Sequence, residues 1–135
     1  MLRVLVVEDD AAIRLLVDRV LTGAGHLVQT APNAREATAW ILYDLPQVPD
    51  VALLDIVLPE TSGLEYAETL RQHFPSIRIV FMTGWPEGEG RHEEASRLGA
   101  VLLKPFNRDA LLAAIEQTGP AERLDDASRG GPPGA

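Results

Sequence analysis

Residues 51–60 read VALLDIVLPE. Val51 to Leu54 are apolar without a break, Asp55 interrupts them, and Ile56, Val57 and Leu58 follow before Pro59. A strand with one wet face alternates apolar and polar residues, whereas a strand covered on both faces is apolar throughout. The segment 51–54 is of the second kind. It belongs in a parallel sheet sandwiched between helices, and Asp55 is where the chain should emerge from the apolar layer.

Similar runs occur at 2–7, 26–31, 77–82 and 100–103. Between them lie segments with helical spacing. Asp10 can cap a helix whose inner face carries Ile13, Leu16, Val17, Val20 and Leu21, ended by Gly23 and Gly25. Asn33 with Glu36 makes a capping box for a helix to about Leu45, closed by Pro46 and Pro49. Further helices are expected over 64–74, over 91–98 and from the Asn107 cap to 118. Alternating strands and helices with right-handed crossovers give an α/β, doubly wound (βα)5 sandwich. The common five-strand solution is flavodoxin-like, with a parallel sheet in the order 2-1-3-4-5. Residues 1–118 form this domain. Seven of the 17 residues in 119–135 are Gly or Pro, which reads as a disordered tail.

Composition narrows the function. Cysteine is absent, which excludes disulfides and thiolate metal sites. The net charge is −8, and the basic residues, 11 Arg and the single Lys104, are scattered, so no basic face offers itself to nucleic acid. The apolar run at 4–7 is too short for a signal peptide or a membrane span, which points to a cytoplasmic protein.

In a doubly wound sheet, ligands bind at the carboxyl ends of the strands. There this chain places Glu8, Asp9 and Asp10 after the first strand, and Asp55 after the third. Thr83 and Gly84 follow the fourth, and Lys104 and Pro105 the fifth. Singly, each has an ordinary reading: helix N-terminal acids, a loop cap, a turn hydroxyl, a solvated lysine. Together they bring carboxylates, one hydroxyl and one ammonium to a single edge. Packed carboxylates repel unless a cation sits among them, and oxygen ligands suit Mg2+ or Mn2+. With the metal and Lys104, the charges of Glu8, Asp9 and Asp55 sum to zero. Such a site is built to hold a phosphoryl group, with Asp55 as nucleophile.

These segments resemble the receiver domain of two-component response regulators, the CheY-like fold, over residues 2–118. VLVVEDDAAIR is similar to its first strand with the acidic pair, and LLDIVLPETSGLE to its phosphoacceptor segment, with Pro59 and Gly63 in place. VFMTG is similar to its switch-hydroxyl strand end, and LLKPF to its lysine–cis-proline motif. The resemblance implies that Asp55 accepts a phosphoryl group from a histidine kinase, a histidine phosphotransfer protein or a small phosphodonor. It implies Asp9, Asp55 and the Val57 carbonyl as Mg2+ ligands, with Glu8 acting through water. Thr83, beside Gly84, and Lys104 would bind phosphoryl oxygens, and the Lys104–Pro105 bond would be cis. Asp10 remains a helix cap.

Three departures stand out. Val101 occupies the position, three before the lysine, where the family often has a switching Tyr or Phe. The loop TGWPEGEG is long and rich in Gly, and the helix after it is short and polar, on what the resemblance makes the output surface. Val57 and Trp85, two residues past Asp55 and Thr83, are apolar where polar groups could orient water. They either lengthen the life of an aspartyl phosphate by excluding water, or Trp85 packs on a neighbour or faces solvent.

The expected function is a phosphoacceptor switch acting through protein contacts, as a single-domain regulator without a DNA-binding output, or as a receiver from a larger regulator or hybrid kinase. A homodimer is left open. An Asp-nucleophile phosphatase would want a second Asp at position 57, and a flavin module would want a hydroxyl-rich phosphate loop instead of EDD. No separate substrate turnover is expected.

Overall fold

The structure is a computed structural model that describes residues 1–44, 48–85 and 90–117. Leu45 and Pro46, most of the PEGEG segment and the 119–135 tail lie outside the described residues. Five strands form one sheet: β1 (Arg3–Val7), β2 (Leu27–Ala31), β3 (Val51–Asp55), β4 (Arg78–Thr83) and β5 (Ala100–Leu103). All ladders are parallel, and the order is β2-β1-β3-β4-β5. The helices are α1 (Ala11–Gly23), α2 (Ala34–Ala39), α3 (Gly63–His73), α4 (His92–Leu98) and α5 (Arg108–Gln117).

Side chains alternate across the sheet and fill two separate cores. Leu5, Val7, Leu54 and Phe81 pack with Leu64, Ala67 and Leu70 of α3, Ala37 of α2 and Ala95 of α4. Val4, Val6, Leu53, Val80 and Met82 pack on the other face with Val17 and Leu21 of α1 and Leu111 and Ile115 of α5. All of β3 is buried, because it is the central strand with helices on both sides. Each fully buried Leu or Phe here contributes roughly 1.5–3 kcal/mol.

The caps act locally. Asp10 Oδ1 accepts from the amides of Ala12 and Ile13 at 2.9 and 3.0 Å. Asn33 accepts from Glu36 N–H, Asn107 from Ala110 N–H, and Ser62 from Glu65 N–H. The Asn33–Glu36 box closes differently from expectation: the Glu36 carboxylate takes its bond from the Asn33 side-chain amide at 3.4 Å. The helix expected to run to about Leu45 is α-helical only to Ala39 and continues as a π-helical turn, Trp40–Asp44. Trp40 and Ile41 both pack against the core there.

Two strand ends differ by one residue from the sequence reading. Asp55 and Thr83 belong to the sheet, paired with Met82 and Leu103, instead of lying just beyond it. The cause is pairing with neighbours: Ile56 N–H donates to Met82 O at 3.0 Å, and Lys104 N–H donates to Thr83 O at 2.7 Å. At the opposite edge, buried His26 accepts from Leu2 N–H through Nδ1 at 3.1 Å. Its Nε2 therefore carries the proton and donates to Glu116 at 2.7 Å, tying α5 to the start of the sheet.

The loop after β3 folds back on itself. Gly63 N–H donates to Ile56 O at 2.7 Å, and Val57 bridges Ser62. This leaves no room for a side chain at Gly63: a Cβ would collide with the Asp55 carbonyl oxygen. Gly63→Ala should therefore push α3 away from β3 and destabilise the fold by about 1–3 kcal/mol, read as a lower urea midpoint.

Candidate functional site

The carboxyl ends of β1, β3, β4 and β5 converge as the topology requires. At their centre is the Lys104 ammonium, 2.8 Å from Asp55 Oδ2 and 2.8 Å from Glu8 Oε1. Asp55 receives a directed hydrogen bond from it. The Glu8 contact is an ion pair of the same length. The other oxygens are held by backbone amides: Asp55 Oδ1 by Val57 N–H at 2.9 Å, and Glu8 Oε2 by Asp10 N–H at 3.1 Å. Asp10 thus caps α1 with its side chain and braces Glu8 with its amide. The Lys104–Pro105 peptide is cis.

Burial raises the Glu8 carboxyl above its ordinary 4.5, and the Lys104 and Asp10 contacts and nearby Asp55 modify the effect. For Lys104, burial works to lower the value, but hydrogen bonds and charge from Asp55 and Glu8 outweigh it and raise it above 10.5. The lysine is therefore fixed as a cation, and burial works against the charge on Glu8.

Glu8, Asp9 and Asp55 each offer a carboxylate oxygen, and these atoms lie within 4.8 Å of one another. Three clustered carboxylate oxygens, two of them on buried residues, are the donor set that a hard divalent cation takes. Asp9 is exposed, whereas Glu8 and Asp55 are buried. Thr83 is 3% exposed, and its hydroxyl accepts from Trp85 N–H at 3.0 Å. Gly84 beside it is exposed. Trp85 is half-buried, packs against the core on the α3 side, and lies against Gly90, where any Cβ would strike the indole. Val57 is 60% exposed, so its side chain gives little cover.

One contact has no counterpart in the sequence reading. Arg14, one turn into α1, donates from Nη1 to the Glu8 carbonyl oxygen at 2.7 Å. Its position four residues after the Asp10 cap, on the turn nearest the strand end, is the only sequence signal for it.

The profile of the response regulator receiver domain matches residues 4–116. The chain belongs to this family. It is 39% identical over 119 residues to a protein-glutamate methylesterase/protein-glutamine glutaminase of Archaeoglobus fulgidus, covering 86% of this chain and 33% of that one. It is 34% identical to the DNA-binding transcriptional regulator NtrC of Salmonella typhimurium, covering 83% and 24%. The receiver thus spans about a third or less of the length of these two relatives. Among solved structures, chemotaxis protein CheY4 of Vibrio cholerae superposes with a TM-score of 0.77 at 31% identity, covering 87% of this chain and 98% of that one. Response regulator TrrA of Thermotoga maritima, in complex with Mg2+ and BeF, gives 0.74 at 30% identity, covering 87% and 98%. No helix among the described residues is long and apolar enough to cross a membrane.

The raised Glu8 value has a definite sign. Between 4.5 and the higher folded value, the folded receiver binds more protons than the unfolded chain, so this group's stabilisation is present at low pH and fades as pH rises. Glu8→Gln should therefore raise the thermal midpoint at pH 7 in EDTA. It should also flatten the decline of that midpoint as pH rises above 4.5. Calorimetry across that range checks both.

Proposed function

We propose that this receiver is a phosphorylation switch in which Asp55 accepts the phosphoryl group. The observation that carries the reading is the Lys104 ammonium, 2.8 Å from Asp55, beside three clustered carboxylates. An Asp55 oxygen bonds to phosphorus as the donor's P–N bond breaks in a phosphohistidine, or its P–O bond in an acyl phosphate. The bonding pair stays with the leaving imidazole, which takes a proton from solvent, or with the leaving carboxylate. Bound at Glu8, Asp9, Asp55 and the Val57 carbonyl, Mg2+ or Mn2+ would supply positive charge to the phosphoryl oxygens.

The chain's own residues do the rest. Lys104 loses an anionic partner when Asp55 becomes an acyl phosphate, and its charge passes to a phosphoryl oxygen. Thr83 is prepared as a donor: Trp85 N–H already occupies one of its lone pairs, and its proton remains for the phosphoryl group. Drawing Thr83 inward strains its bond to Trp85 and couples the site to the loop before α4. The output is a change in protein contacts, with no separate substrate turned over.

The phosphodonor is a sensor histidine kinase or a histidine phosphotransfer protein. A receiver acting within a longer regulator is the second reading. It is favoured by the longer relatives, of which the matched region is only a part.

Acetyl phosphate with Mg2+ should add the mass of one phosphoryl group to the wild type, none in EDTA, and none to Asp55→Asn. Equal labelling of both proteins would overturn the assignment. A second expectation concerns lifetime. The Trp85 indole is an apolar neighbour of the switch, so Trp85→Glu should hasten loss of the phosphoryl group severalfold by orienting water. An unchanged lifetime in a timed phosphate-release assay would count against that role.

A further inference from the structure

We propose that Arg14 is a positioning residue for the cation site, acting through the peptide plane that carries Asp9. The inference rests on reading Glu8, Asp9 and Asp55 as a cation site.

Asp9 is the puzzle. It is exposed, and no hydrogen bond or ion pair among the described residues steadies its carboxylate, yet that carboxylate lies within reach of Glu8 and Asp55. The other two acids are braced. Glu8 has the Asp10 amide and Lys104, and Asp55 has the Val57 amide and Lys104. Something must fix the direction in which Asp9 leaves the backbone, because a metal site needs its ligands aimed before the ion arrives.

The Glu8 carbonyl and the Asp9 amide belong to one rigid planar unit. β1 ends at Val7, and the last ladder pair with β3 is Val7 with Leu54. Glu8 N–H still reaches Ala31 O at 3.0 Å on the β2 side. Its carbonyl lies past the ladder on a fully buried residue, where an unmet acceptor would be costly. Arg14 meets it at 2.7 Å with a charged donor, the shorter and stronger kind of hydrogen bond. The helix that carries it is itself anchored there, because the Arg14 backbone N–H bonds Asp10 O at 2.9 Å in the first turn of α1. Holding the Glu8 oxygen holds the plane, and holding the plane sets the bond from which the Asp9 side chain starts.

The sign of the effect separates this role from a simple charge. A guanidinium near three carboxylates repels an incoming cation, so removing it should tighten metal binding if charge were all that mattered. A positioning role predicts the reverse.

The test is Mn2+ binding to the unphosphorylated chain, followed by the free-ion signal in electron paramagnetic resonance, with thermal unfolding measured alongside. Arg14→Ala should weaken Mn2+ about tenfold at a temperature where it remains folded. Arg14→Lys, which keeps the charge and one donor, should recover most of the loss. In an Asp9→Asn background, Arg14→Ala should have little further effect, because the two act in series. Unchanged or tighter binding by Arg14→Ala overturns the proposal, as does a full additive loss in the Asp9→Asn background. If Arg14→Ala does not fold, Arg14→Gln decides: weaker Mn2+ binding supports the role, and unchanged or tighter binding overturns it. A wild type that binds no Mn2+ overturns the cation-site reading, and this inference with it. A wild type that binds normally beside an insensitive Arg14→Ala overturns this inference alone.

Discussion

The contact between the Lys104 ammonium and two buried carboxylates governs this molecule. Lys104 stands 2.8 Å from both Asp55 and Glu8. Without a cation, these acids could not share a dry strand edge in ionised form. The chain has no second lysine to substitute for it. The raised Lys104 value and the raised Glu8 value describe one compromise: the charge on the lysine is secured, and burial disfavours the charge on Glu8.

That compromise explains why the site is responsive. Asp9 stands exposed beside Glu8, and no hydrogen bond or ion pair among the described residues holds its carboxylate. A fully satisfied network would have no reason to bind anything. Here the fold supplies acceptors in excess of donors at one point, and elsewhere meets the backbone carefully, through the caps at Asp10, Asn33, Ser62 and Asn107.

Much of this is legible in the sequence because its causes are local or periodic. The unbroken apolar run Val51–Leu54 signals a strand covered on both faces, and the strand order is the common solution for five alternating strands and helices. Asp10, Asn33 and Asn107 announce their helices because a short polar side chain before an apolar period has few other uses. What is not legible depends on partners distant in sequence. Asp55 and Thr83 join the sheet because Met82 and Leu103 pair with them, which no local pattern encodes. Trp85 finds its place on Gly90, whose missing side chain makes the room. Arg14 reads as an ordinary exposed helix residue until the β1–α1 corner places the Glu8 carbonyl within its reach.

The place of β5 in the sheet has a consequence for how long the site persists. β5 is an edge strand of four residues with a single neighbour, β4, and Lys104 follows directly after it. Edge elements open at a fraction of the free energy needed to unfold the whole domain. One short ladder, with the packing of Val101 and Leu102 on the two cores, is what holds the lysine in place. An opening there would release the lysine while β1 and β3 still present their acids. The acids stand on inner strands, and the cation that makes them tolerable stands on an outer one.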